Sequence, residues 1–533
     1  MTDVALPPTE GTAQHIARSA SILAMGSMAS RALGLIRETL IAHYFGAVGP
    51  VSAFRLASRV PFMVYDLLIG GMLTAALVPV LSDYARPERR RELWPAASAI
   101  LSVLAALLAA IVLVLEAFAP LVAWLLGGGF DPSLLAILIR SLRILAPAVW
   151  LFGIAGVLMG LLYALQRFTF PALGAPIFNL GIILSVLLLA GRLDVYSLSW
   201  GVFLGALGQV LILLPGLKDA RLRPRFDWRN PALRRIAQLY LPVAAGLVIS
   251  QIQVVIDGNL ASRTGPNSVA WMQNATTLIQ FPHGLIGVAI SIASLPSLSQ
   301  WAARGDWETY RETLARALCL VLYLIVPATI GLWVLGRPIV RLIFEHGAFT
   351  SADTTAVVMA LRLYLIGLIF ATVDWPLNYA FYAQQDTTTP AAVGVLSVGV
   401  YLVVALALLK PWGYLGLVFA DSAKHMAHAA TMMILLWRRV GGIDARRIAS
   451  TALRAAVFSA AMAVTAFAVA HGVERVLSDA QRLADLFIVI GAGGVAVAVY
   501  GLGTWAAGME EAKLVGGLLA QRLSRRRGPE AVQ

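Results

Sequence analysis

Apolar stretches long enough to cross a bilayer recur along the whole chain, parted by short segments rich in glycine, proline or arginine. A helix needs about 20 apolar residues to cross a hydrocarbon core of about 30 Å. Fourteen such stretches can be drawn, at about 16–47, 51–83, 93–118, 133–163, 169–190, 197–216, 231–262, 267–300, 308–334, 353–383, 388–410, 413–437, 448–471 and 482–507. A membrane β-barrel would show short alternating segments instead. The pattern predicts an all-α polytopic membrane protein with about 14 transmembrane helices.

The pattern also repeats. "SRALGLIRETLIA" at 30–42 is similar to "SQIQVVIDGNLAS" at 250–262, "VPVLS" at 78–82 to "LPSLS" at 295–299, and "YALQRFTFPA" at 163–172 to "YAQQDTTTPA" at 382–391. The three shifts are 220, 217 and 219 residues. Ordered matches at one spacing mark an internal repeat. The spacing covers six spans, an even number, so both copies start from the same face. Parallel repeats of this kind are common in secondary transporters, which place their substrate between the halves near mid-membrane. The expected organisation is an N-terminal tail 1–15, a first six-helix lobe 16–216, a basic loop 217–230 and a second six-helix lobe 231–437. Two further helices follow in 438–507, and a basic tail occupies 508–533.

Composition sharpens this picture. The 533 residues are 59% hydrophobic and 13% charged, against about a quarter charged in soluble domains. The formal net charge of +13 could suggest nucleic acid, but the basic residues gather in loops: ARPERRRE (85–92), KDARLRPRFDWRNPALRR (218–235), WRRVGGIDARR (437–447) and QRLSRRR (521–527). With both termini on one side, that side carries roughly 26 Lys and Arg and the other roughly 7, which predicts cytoplasmic termini. Contact of these loops with anionic lipid follows from the same charge. The start, MTDVALPPTEGTAQ, lacks the pattern of a cleaved signal. Cys319 is the one cysteine, so an intrachain disulfide is excluded and the thiol is expected in packing. There is no phosphate-binding loop, no Ser-His-Asp arrangement in the loops and no Cys/His cluster. The outward loop GAVGPVS has no carboxylate, which argues against a membrane enzyme acting on lipid-linked sugars. No cofactor or metal is expected; energy must come from a gradient, with a coupling cation as one source.

Charge inside the spans is the candidate chemistry, because it is costly there and usually faces protein or water. Arg31 and Glu38 share one face of the first helix, and Arg37 points about a third of a turn away. Arg55, Arg59 and Asp66 form one stripe on the second helix, interrupted by Pro61. Four arginines against two carboxylates suit an anionic group, since arginine grips phosphate bidentately. Alternatively the charges neutralise one another, Arg31 with Glu38 and Arg59 with Asp66. In the second lobe Asp257 and Asp374 are candidates for charge pairing or coupling. The repeat sets Arg37 opposite Asp257. Lys424 is expected to pair with Asp421, three residues away. His283, beside the Pro-Gly break of FPHGLIG, can satisfy freed backbone. His425 and His428, three apart, lack a third ligand in sequence, which argues against a metal site.

Four stretches, "SRALGLIRETLIAHYFGA" (30–47), "RFTFPALGAPIFNLGIIL" (167–184), "FPHGLIGVAISIASLPSLS" (281–299) and "LIFEHGAFTSAD" (342–353) with "FYAQQDTTTP" (381–390), resemble the MurJ (MviN) family. These are lipid II flippases of the multidrug/oligosaccharidyl-lipid/polysaccharide exporter superfamily. The resemblance implies alternating access in a bacterial inner membrane, acting on a polyprenyl-pyrophosphate-linked glycan in peptidoglycan synthesis, by a monomeric transporter rather than an enzyme. A flippase for another polyprenyl-linked glycan, or a drug/ion antiporter of the superfamily, is the alternative. Arg31 and Arg37 match the family's first-helix arginines, and Arg59 a common basic position. Tyr65 and Thr277 stand where the family has arginine, Ser52 and Thr276 where it has aspartate, and Arg55 where it has an apolar residue. Head-group binding is therefore expected from Arg31, Arg37, Arg55 and Arg59, with Glu38, Asp66, Asp257 and Asp374 as charge partners or coupling groups.

Overall fold

The computed structural model describes residues 10–477 and 481–517, with side chains from residue 21 onward except at 70, 245, 246, 249, 250 and 481. The expected tails 1–15 and 508–533 fall largely outside the described residues. Fourteen long helices follow one another: α1 Glu10–Phe45, α2 Gly49–Tyr84, α3 Pro87–Ala117, α4 Pro132–Ala164, α5 Thr169–Leu193, α6 Tyr196–Leu217, α7 Pro231–Ser262, α8 Ser268–Arg304, α9 Trp307–Phe344, α10 Ser351–Ala383, α11 Thr388–Trp412, α12 Tyr414–Arg439, α13 Ala445–Val476 and α14 Arg482–Ala506. Eleven of them are apolar enough to rank as membrane spans on composition alone. The other three carry charge at particular positions: Arg31, Arg37 and Glu38 in α1, Arg234, Arg235 and Asp257 in α7, and Asp421 and Lys424 in α12. A short helix, Ala119–Gly127, continues α3 beyond a break at Phe118.

Local chemistry sets the helix starts. The Asp131 side chain accepts from Leu134 N ahead of α4, and Asp306 from Thr309 N ahead of α9. Thr350 and Asp353 form a reciprocal capping box at α10. Each satisfies amide groups that the first helical turn leaves unpaired. Three of these helices contain π-helical turns: Asp66–Leu77 of α2, His283–Val288 of α8 and Ile488–Ala492 of α14.

The element bounds repeat as the sequence matches do. Ser351 and Ala383 of α10 each fall 219 residues after Pro132 and Ala164 of α4, and the bounds of α11 fall 219 after those of α5. Two pairs of positive-φ positions obey the same spacing: Gln166 with Gln385, and Asp194 with Gly413.

By packing, the chain divides into two units, residues 1–270 with 347–349, and 271–346 with 350–533. The repeat puts 231–262 in the second lobe; its packing puts α7 in the first unit. Tyr240 donates to Leu67 O on α2, and Asn259 donates to Trp124 O and Leu125 O of the short helix. The first unit's core joins α2, α3, α4 and α7 through Leu77, Leu93, Leu161 and Ile236. Gly201 and Gly205, a Gly-xxx-Gly pair in α6, let helices close up: a Cβ on Gly205 would lie 2.5 Å from Phe178 O on α5. The second unit has one cluster around Tyr310, Phe381 and Leu436 and another joining α9, α13 and α14 through Tyr323, Met462, Ile488 and Tyr500. Tyr500 donates to Tyr323 O at 2.7 Å, the interhelical hydrogen bonding expected where lipid offers no hydrophobic drive. Cys319 is buried in α9.

Candidate functional site

The charged positions of α1 and α2 meet in the first unit. Glu38 is 3% exposed and uses both carboxylate oxygens: Oε1 accepts from Arg37 Nη2 at 2.7 Å and Oε2 from Arg55 Nη2 at 2.7 Å. Arg37 Nη1 also donates to Asn179 Oδ1 on α5 at 3.0 Å. Asn179 is oriented in turn by Ser30 and Ala175, to which its Nδ2 donates. One turn further along α2, Arg59 reaches α7. It donates to Val254 O at 2.8 Å and pairs with Asp257 at 3.2 Å. Gly258 makes this possible, since a Cβ there would sit 2.7 Å from Arg59 Nη1.

Three expected pairings change. Glu38 pairs with Arg37 and Arg55, not Arg31: α2 brings a guanidinium to it, whereas seven residues of helix separate Arg31 by about 10 Å of rise. Arg59 pairs with Asp257 rather than Asp66. The π-helical turns begin at Asp66, so the i, i+7 alignment with Arg59 is lost there. Asp66 is exposed and has no ion pair among the described residues. Arg37 meets Glu38 and Asn179, not Asp257. Arg31 is exposed and has no hydrogen-bonding or charged partner among the described residues. The remaining candidate, Asp374, lies in the second unit beside His425 and His428 of α12.

Asn179 is a site residue that the sequence does not mark by charge, although it lies within the motif APIFNLGIIL. Lys424 pairs with Asp421 as expected, at 2.6 Å. His283 bonds side chains, Thr372 and Trp375, rather than freed backbone. Among the described residues no three His, Cys, Asp or Glu side chains are placed to share a metal ion.

The positions that depart from the family pattern are locally satisfied. The Thr276 and Thr277 hydroxyls both donate to Gln273 O at 2.9 Å. Ser52 is fully buried and accepts from Ala270 N. Tyr65 packs edge-on against Phe152, in a group with Phe62 and Phe178. The candidate arginines Arg31, Arg37, Arg55 and Arg59 all stand on α1 and α2.

A family model described as "Lipid II flippase MurJ" matches residues 41–480. The chain belongs to the MurJ family. Among MurJ relatives, the lipid II flippase of Burkholderia cenocepacia is 32% identical over 384 residues, 70% of this chain and 74% of its own. A probable lipid II flippase of Vibrio cholerae is 30% identical over 440 residues, 80% of this chain and 83% of its own. A solved structure, "Lipid II flippase MurJ, inward closed conformation", superposes with a TM-score of 0.72 at 22% identity, covering 89% of this chain and 98% of that one. An inward-facing multidrug resistance MATE transporter of the MOP superfamily gives 0.64 at 14% identity, covering 77% and 94%. The fold is therefore that of MurJ and its MATE relatives, a multi-pass membrane transporter and not an enzyme. The MurJ match begins at residue 41, so Arg31, Arg37 and Glu38 precede it and rest on their own geometry.

Proposed function

We propose that this chain is a lipid II flippase of bacterial cell-wall synthesis, carrying the head group from the cytoplasmic to the outer leaflet by alternating access. Membership of the MurJ family over most of its length supports the activity. The observation in the structure that carries the reading is the cationic group of α1 and α2: four arginines, two of them on Glu38, one on Asp257, and Arg31 exposed. The ion pairs hold the guanidiniums in place, and the surplus positive charge attracts a diphosphate. Arg31, whose fork is uncommitted, is the first contact, and Arg37 the second. Arg55 and Arg59 support them. The protein works in the inner membrane with both termini cytoplasmic, as a monomer.

The test is complementation of a flippase-depleted bacterium, with membrane insertion checked by immunoblot. R31A and R37A insert and fail to support growth; growth at the wild-type rate by both variants would refute the reading. In purified protein, loss of one charge-assisted contact lowers diphosphate-lipid affinity about 10- to 100-fold, read by native mass spectrometry. Absence of the arginines expected at Tyr65 and Thr277 favours a second reading, another polyprenyl-linked glycan as cargo. Tighter binding of such a glycan than of lipid II in the same measurement would select it.

A further inference from the structure

The second unit holds ionisable side chains that the cationic group of the first unit does not use. Asp374 of α10, whose side chain is 10% exposed, lies 3.0 Å from His428 Nδ1 through Oδ1 and 3.8 Å from His425 Nδ1 through Oδ2. His425 Nε2 lies 3.8 Å from Asp421 Oδ2, and Asp421 Oδ1 accepts from Lys424 at 2.6 Å. His283 of α8 faces the same space. With Asp421, His425, Gln280 and Tyr364 it lines a cavity of about 80 Å³. The groups facing His425 are thus His283 from α8, Asp374 and Tyr364 from α10, and Asp421, Lys424 and His428 from α12. The neighbouring α11 carries no carboxylate or histidine, Tyr401 and the terminal Lys410 being its ionisable residues.

The charges of this cluster do not close. With its histidines neutral, two carboxylates and one ammonium leave one negative charge, which a low-dielectric interior opposes. One added proton closes the balance, and the geometry says where it goes. The two ring nitrogens of His425 face one carboxylate each, and only an imidazolium has a proton on both. Asp374 Oδ1 and His428 Nδ1 are buried and 3.0 Å apart, yet neither has an aligned hydrogen bond among the described residues. That unmade bond leaves His428 poised to share the proton. His283 is held neutral. Its Nε2 accepts from Trp375 Nε1 at 3.1 Å, so its own proton is on Nδ1, facing Thr372 Oγ1 at 3.2 Å. The Thr372 hydroxyl is itself committed as a donor to Leu368 O. The π-helical turn that begins at His283, and Gly287 packed against Thr372 and Trp375, bring α8 close enough for this. Lys424 already occupies Asp421, which disfavours a metal cation.

We propose that Asp374, Asp421, His425 and His428 form a proton-binding site in the second unit, which takes one proton from water onto the His425/His428 pair and returns it during the transport cycle. The only bond made and broken is N–H. The coupling role rests on the transport reading; the binding site does not.

Full-length protein in detergent is titrated between pH 8 and pH 5 in weakly buffered solution with an indicator dye. H425Q takes up about one proton fewer than wild type, and D374N or D421N moves the midpoint of that uptake by about one pH unit toward acid. H471Q, altering an exposed histidine outside the cluster, serves as the control: its lost uptake does not respond to D374N. Each variant is checked for folding by its melting profile, and D421N stands in if D374N unfolds. If the carboxylate variants leave the uptake curve superimposable on wild type, the site is overturned. In proteoliposomes, H425Q removes the pH dependence of lipid II translocation. Translocation whose pH dependence survives H425Q overturns the coupling role while leaving the flippase reading intact. Proton uptake as expected, with no lipid II translocated by wild type, upholds the site and sinks the flippase reading.

Discussion

Glu38 is gripped by Arg37 from its own helix and Arg55 from α2, with both oxygens occupied and almost no exposure. Removing one partner of a buried pair strands the other and costs about 3–5 kcal/mol. E38A therefore lowers the melting temperature in detergent sharply, as R55A does, whereas R31A leaves it within the noise expected of an exposed position, about 0.5 kcal/mol. The contrast separates anchoring from binding: R31A impairs growth without impairing stability. The arginines were legible in the sequence because charge within an apolar span stands out. Their partners were not. A single helix wheel offers Glu38 only Arg31, while the actual partner comes from a neighbouring helix, and Arg59 finds Asp257 only because Gly258 leaves room. Asn179 carried no charge to draw attention, yet it fixes the direction of Arg37.

The turns between α4 and α5 and between α10 and α11 are matched elements with reversed charge. Arg167 forks onto Asp219, at 2.6 and 3.0 Å, just beyond α6. The position 219 residues after Arg167 is Asp386, which pairs with Arg439 at the end of α12. Exposed pairs of this kind contribute about 0.2–1 kcal/mol. R167D and D219R each lose that amount, and the double variant R167D/D219R recovers most of it in a double-mutant cycle read by thermal unfolding. Asp386 also accepts from the Thr389 backbone and hydroxyl, and these bonds, with Arg439, hold its carboxyl well below the usual carboxylate range. A depressed carboxylate stabilises the fold above its unfolded value near 3.9 and ceases to as pH falls through the folded value. The stability difference between wild type and D386N is thus level from neutral pH to about 5 and shrinks below about 4. The repeat was visible from three sequence fragments. The left-handed glutamines were not, since glutamine, unlike glycine or asparagine, does not advertise that conformation.

Fourteen helices were legible because each apolar run is bounded by polar turn residues, including α1, α7 and α12, which carry charge within the helix. The packing units were not legible, because α7 meets α2 through Tyr240 and Arg59 and the short helix Ala119–Gly127 through Asn259, contacts which no repeat spacing reveals. Orientation follows from the basic loops and is directly testable. Cys319 is fully buried, so single cysteines can be introduced beside it. R229C, in the loop after α6, reacts with impermeant maleimide only in inverted vesicles, and R192C, at the end of α5, only in intact cells; the opposite pattern would reverse the topology. The reversed ion pairs also set a small penalty on chimaeras of the two halves. A graft of the α10–α11 turn onto the α4–α5 position sets aspartate against Asp219, and the reciprocal graft sets arginine against Arg439. Each pair that a crossover splits costs the chimaera about 0.2–1 kcal/mol, so the breakpoints that spare this cost lie outside 167–219 and 386–439.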